Sequence, residues 1–141
     1  MMNRILVGVL VAVALTASTT VIQAGLTDPA GAASSSRWGQ AAAKDQTIKR
    51  GCRDYPFHYR INAPGDAWMA EMTLVNPNGR KVGTHTFESA EDRASDRATF
   101  ELCKATTRPG RYRIAMKVTS YDARTASTRR AKPATFRLEA R

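Results

Sequence analysis

The sequence predicts an all-β fold, an antiparallel sandwich of six to seven strands. Two observations carry that expectation. Over residues 47–141 the apolar side chains recur at period two, in short runs separated by turn signals. No stretch of the same segment has the 3.6-residue periodicity of an amphipathic helix, and no internal repeat interrupts the pattern.

The first element is an export signal. Arg4 supplies a positive start, and residues 5–17 form an uncharged apolar run of 13 residues. Exits of the A-x-A kind follow, placing cleavage after Ala24 or Ala33 and the signal peptide, helical in its apolar part, at 1–33. The run is short for a membrane span, so a removed leader is expected rather than an anchor. No cysteine precedes Cys52, which excludes a lipid-modified amino terminus. Residues 34–46 are rich in Ala and Ser and predict a flexible linker. Trp38 is the odd residue there; docking and binding are open to it, but an aromatic incidental to a tether is the plainer reading.

The strands come next. An edge strand is expected near residues 47–50. Residues 55–62 put Phe57, Tyr59 and Ile61 on one face and His58, Arg60 and Asn62 on the other. After a break at residues 63–66, Trp68, Ala70, Met72 and Leu74 alternate with polar neighbours. Asn76-Pro77-Asn78-Gly79 is a strong turn, with proline fixing φ at the first central position. Residues 81–87 form a weaker strand with Val82, Thr84 and Thr86 on one side. Residues 88–96 are a charged loop, and Ala98, Phe100 and Leu102 mark the strand that ends at Cys103. Beyond the Arg108-Pro109-Gly110 break, Tyr112, Ile114, Met116 and Val118 form the cleanest strand of the chain. Residues 122–132 predict a polar loop, and Phe136, Leu138 and Ala140 a final strand.

Cys52 and Cys103 are the only cysteines, and in an exported chain a lone pair is most simply a disulfide. Closing that span stabilises a fold by about 4 kcal/mol in the chain-entropy treatment. Basicity is uneven. Residues 34–103 carry 10 Lys/Arg and 9 Asp/Glu, whereas residues 104–141 carry 11 Lys/Arg against Asp122 and Glu139. Arginine outnumbers lysine 16 to 6, as codon content in a GC-rich genome would also produce.

Pro109-Gly110-Arg111-Tyr112-Arg113-Ile114, together with the turn after a Trp-led strand, resembles the immunoglobulin-like or fibronectin-type-III-like sandwich domains of secreted bacterial proteins. The resemblance covers residues 47–141. It implies a tyrosine corner at Tyr112. Cys103 precedes that tyrosine and is out of phase with Phe100 and Leu102, so a bridge at the rim is expected, tying the start of the domain to its fourth or fifth strand. The order Cys52, Trp68, Cys103 mimics the antibody arrangement, which is the alternative.

No catalytic motif is present: no G-x-S-x-G, no H-E-x-x-H, no phosphate-cradling glycine loop. His58 and His85 are expected at the surface or rim, and Glu88, Glu91, Asp92 and Asp96 as a solvated acidic loop. No cofactor and no metal are predicted. The late strands alternate differently: Arg111, Arg113 and Lys117 oppose the apolar face, Arg137 projects likewise, and Arg129 and Arg130 lie between. The sequence therefore predicts a secreted, non-enzymatic binding module. Its candidate surface is Arg111, Arg113, Lys117, Arg129, Arg130 and Arg137, and its partner an anionic polymer or acidic protein of the envelope or extracellular space. Nothing reads bases, so no specific nucleic acid is expected. The alternative is a small secreted inhibitor or effector that meets a protein target through end loops near 122–130 or 88–96.

Overall fold

The computed structural model describes residues 37–140, so the predicted signal peptide lies outside the described residues. Those residues are all-β, with nine strands and no helix. In chain order they are β1 (Gly39–Ala42), β2 (Gln46–Thr47), β3 (Cys52–Ile61), β4 (Ala67–Val75), β5 (Lys81–Glu88), β6 (Ser95–Cys103), β7 (Gly110–Tyr121), β8 (Ala126–Arg130) and β9 (Ala134–Glu139). A three-stranded sheet runs β1-β3-β6 and a larger one β2-β9-β7-β4-β5, with β8 added to β7. Every pairing is antiparallel except β2 with β9.

The sandwich follows from the alternation. Tyr55, Phe57, Tyr59 and Ile61 of β3 face Trp68, Ala70, Met72 and Leu74 of β4 and Tyr112, Ile114, Met116 and Val118 of β7, all buried. Phe100 and Leu102 of β6 and Phe136 and Leu138 of β9 complete the interior. Each of the larger aliphatic and Phe side chains among them contributes about 1.5–3 kcal/mol on removal from water. Phe57 stacks on Phe100 with ring centroids 4.6 Å apart, and Tyr59 meets Phe87 at 4.3 Å.

One segment expected to be irregular is a strand: Gly39–Ala42 falls inside the predicted linker yet pairs with β3, whereas Gln46–Thr47, paired with β9, lies at the edge strand expected near 47–50. Small residues are required in β1 by packing. A Cβ on Gly39 would sit 2.5 Å from the sulfur of Met116 and 3.3 Å from a Val118 methyl. Ala41 is buried against the core. Composition that resembles a tether is here a strand laid closely over β7. The predicted loop at 122–132 likewise contains β8, whose residues are all exposed and so carry no apolar alternation.

The turns obey local chemistry. Asn76 Oδ1 accepts from the N–H groups of Asn78 and Arg80 at 3.0 and 2.9 Å. At the entry to β7, Gly110 has φ 141°, and a Cβ there would meet Pro77 at 2.7 Å. The buried Tyr112 donates its hydroxyl proton to the Arg108 carbonyl at 3.0 Å, the corner contact that the motif implies.

Cys52 and Cys103 form a disulfide, as the directly paired first and last residues of the β3–β6 ladder. The bridge lies at the end of the smaller sheet, on its outer face. The antibody-like alternative, a bridge across the core, is not what forms.

Candidate functional site

The outer face of the larger sheet is set by parity. The odd-numbered residues of β7 oppose its buried face, which places Arg111, Arg113, Lys117, Thr119 and Tyr121 there. Arg111 pairs directly with Arg137 of β9, and Arg113 with Thr135. The Arg137 N–H donates to Asp45 Oδ1 at 2.6 Å, away from β7. Arg111 and Arg137 are therefore a non-hydrogen-bonded pair, the closer of the two antiparallel arrangements, with Cα atoms about 4.5 Å apart. Arg113 is diagonal to Arg137, at roughly 7–8 Å. Among the described residues none of the three arginines is in an ion pair.

Lys117 differs. Its Nζ donates to Glu71 Oε2 of β4 at 3.0 Å, in a pair whose side chains are 39% and 35% exposed. Such a pair stabilises by about 0–1 kcal/mol. Its main consequence is local: Lys117 is neutralised. Arg130 is its cross-strand neighbour on β8, so these two are separated from the three arginines by the uncharged Ala115–Thr73 row.

Arg129 leaves the face altogether. It pairs with Val118, an inward residue, and therefore points to the opposite side of the sheet. The smaller sheet does not cover it there. Instead its guanidinium lies over the Trp38 ring, 5.8 Å from the centroid. Trp38 packs against the core, and its carbonyl accepts the Asn62 N–H at 2.8 Å. Arg37, Trp38, Pro64, Arg129 and Arg130 line an open cleft of about 630 Å³, within the usual range for ligand sites. Pro64 is held in place through its carbonyl, which accepts the buried Ser120 hydroxyl. Of the six predicted residues, Arg111, Arg113 and Arg137 gather on the outer face, Lys117 and Arg130 lie beyond an uncharged row, and Arg129 turns to the cleft. Trp38, the odd aromatic of the predicted linker, docks on the domain rather than being incidental to a tether, and Arg37 carries no signal of its own in that small, polar stretch.

The remaining chemistry-bearing residues lie away from the cleft and the arginine face. His58 is exposed on the outer face of the smaller sheet, opposite Arg97. His85, expected at the surface or rim, is half-buried on the edge strand β5, where it turns inward between Gly83 and Phe87. Its ring lies 5.4 Å from Phe100 and 5.6 Å from Phe87, and Nε2 donates to the Thr99 carbonyl at 2.6 Å. It satisfies the open edge of β6 across the two sheets. In the acidic loop, Asp92 Oδ2 accepts the Glu88 N–H at 2.8 Å. Burial, and then Asp92 and Asp96, raise the Tyr59 phenol above its ordinary range. Among the described residues no three His, Cys, Asp or Glu side chains gather as a metal-binding group.

Loops 62–66, 89–94 and 122–125 all emerge at the end of the sandwich that carries the cleft. In the last of them Asp122 accepts the N–H groups of Arg124 and Thr125 and the Thr125 hydroxyl, at 2.9, 2.8 and 2.8 Å. These bonds, the Arg124 N–H foremost, hold its carboxyl below the usual carboxylate range. No family model, no curated protein and no solved structure matches this chain.

Proposed function

We propose that the chain is an exported, non-enzymatic binding module whose immunoglobulin-like sandwich presents Arg111, Arg113 and Arg137 to an anionic polymer outside the cell. Three features support this reading. The Tyr112–Arg108 corner and the two-sheet layout favour the immunoglobulin-like assignment. The disulfide suits an oxidising compartment. The observation that carries the function is the close, unneutralised Arg111–Arg137 pair with Arg113 beside it. Like charges directly opposite one another cost a sheet stability unless an anion relieves them.

The test is salt elution from a heparin column. Arg111, Arg113 and Arg137 are changed together to glutamine and compared with a charge-matched control, Arg53, Arg93 and Arg97 to glutamine. The patch variant is expected to elute at distinctly lower salt than the control. Identical elution of the two would assign retention to net charge alone and sink the reading.

A second reading, an inhibitor or effector acting on a protein, is favoured by the gathering of loops 62–66, 89–94 and 122–125 at one end. It predicts one stoichiometric protein captured from culture supernatant, and loss of capture when those loops are exchanged.

A further inference from the structure

We propose that the cleft at the loop end of the sandwich is a binding site for a phosphomonoester carried on a sugar or polyol, separate from the arginine face of the larger sheet. Val118, the partner of Arg129, is five residues along β7 from Arg113, roughly 17 Å at strand spacing. The two sites are thus occupied independently.

The argument begins with Arg129. The Arg129 guanidinium lies over the Trp38 indole, 5.8 Å from its centroid, an attraction that keeps the charge at the cleft. A guanidinium presents a fork of N–H donors that matches an oxyanion. Trp38 is itself anchored, through its packing on the core and its carbonyl. Arg37 lines the same cleft, while Arg130 borders it with its side chain turned to the outer face beside Lys117. Among the described residues no carboxylate lines the cleft, and neither Arg37 nor Arg129 is in an ion pair.

Two guanidinium groups at one concavity, those of Arg37 and Arg129, favour an anion of more than one charge. A carboxylate brings one negative charge, whereas a phosphomonoester brings about −1.5 to −2 near neutral pH and three acceptor oxygens. Arginine forks match those oxygens two at a time. The cleft, about 630 Å³, is far larger than a phosphoryl group. The Pro64 ring, with the part of Trp38 left open to solvent, offers an apolar wall for a sugar or polyol skeleton.

Titration calorimetry with glucose 6-phosphate on the purified protein tests this. Saturable binding is expected, weakened about tenfold or more by Arg129→Ala or Arg37→Ala, since each removes charge-assisted hydrogen bonds. Arg111→Ala is expected to leave it unchanged, which separates this site from the polymer-binding face. Affinity should fall as the pH is lowered through about 6, where the phosphate loses its second charge. Absence of saturable heat at millimolar ligand overturns the proposal. So does equal affinity for glucuronate, or for inorganic phosphate, because either removes the claim on the phosphoryl charge or on the sugar. An equal loss in Arg111→Ala assigns the heat to the other face and overturns it too.

Discussion

Replacing Arg137 by glutamate converts its cross-strand pair with Arg111 from like to opposite charge without touching the core, because both side chains point away from it. Two unit charges about 7 Å apart interact by about 0.6 kcal/mol in water-like dielectric. Reversing the sign therefore changes the pair energy by about 1.2 kcal/mol. Cross-strand substitution data give a similar scale, about 0.2–1 kcal/mol each for attraction and repulsion. For a domain of this size that corresponds to a rise in Tm of about 4 °C or more. The rise should be largest near 0.01 M salt, where screening extends over about 30 Å, and should nearly vanish at 1 M, where it acts within about 3 Å. Thermal unfolding followed by circular dichroism at the two salt concentrations measures it. A Tm unchanged or lowered at low salt would refute the reasoning, for it would mean that Arg111 and Arg137 are not close or are already relieved. Gain in stability with loss of heparin retention, in one variant, is the signature of a surface kept unfavourable for the sake of its ligand.

Changing Cys52 and Cys103 to serine should cost about 4 kcal/mol, read as a lower denaturant midpoint that matches wild type under reductant. Tyr59 and Tyr112 both have phenols raised above the ordinary value by burial, so their contribution is intact below about pH 10 and is lost as pH rises beyond it. Alkaline unfolding should therefore move to higher pH in Tyr112→Phe, and an unchanged midpoint would contradict the assignment. Asp122 has a depressed carboxyl, so its support of the β7–β8 turn exists above the carboxylate range and disappears as pH falls through it. Asp122→Ala should speed amide exchange at Arg124 and Thr125 at neutral pH and abolish that pH dependence.

The core was legible because its strands obey one rule. Tyr55 through Ile61, Trp68 through Leu74 and Tyr112 through Val118 each bury alternate residues, as the period requires. Tyr112 could be placed at a corner because Pro109 and Gly110 interrupt the chain just before it. Segments that break the rule were not legible. β1 buries a glycine and an alanine, so its inward face has no apolar signal. β8 lies beyond the cover of the smaller sheet and has no buried face at all. β5 spends one inward position on Gly83, under the Phe100 ring, and the next on His85, so its buried face reads as polar.

The separation of Arg129 from the other basic residues has a single geometric cause. In β9 the inward residues are Ala134, Phe136 and Leu138, and counting back by twos from Arg137 would put Arg129 outward and Arg130 inward. The register does not continue in that way. Ile114 pairs with Ala134, but Lys117 pairs with Arg130, and the Ala131 N–H donates to Met116. Lys132 and Pro133 together stand opposite Ala115, one residue too many, which is a β-bulge. Proline suits that place because it has no N–H to give to the ladder. A slip of one residue exchanges the faces of everything beyond it. Ala131 is buried, Arg130 joins Lys117 outside, and Arg129 turns under the sheet to Trp38. Deleting Lys132 would restore a continuous strand and force Arg129 outward. If the cleft depends on the bulge, that deletion abolishes glucose 6-phosphate binding while heparin retention through Arg111, Arg113 and Arg137 persists. Retention of both activities would show that the bulge does not divide the two sites.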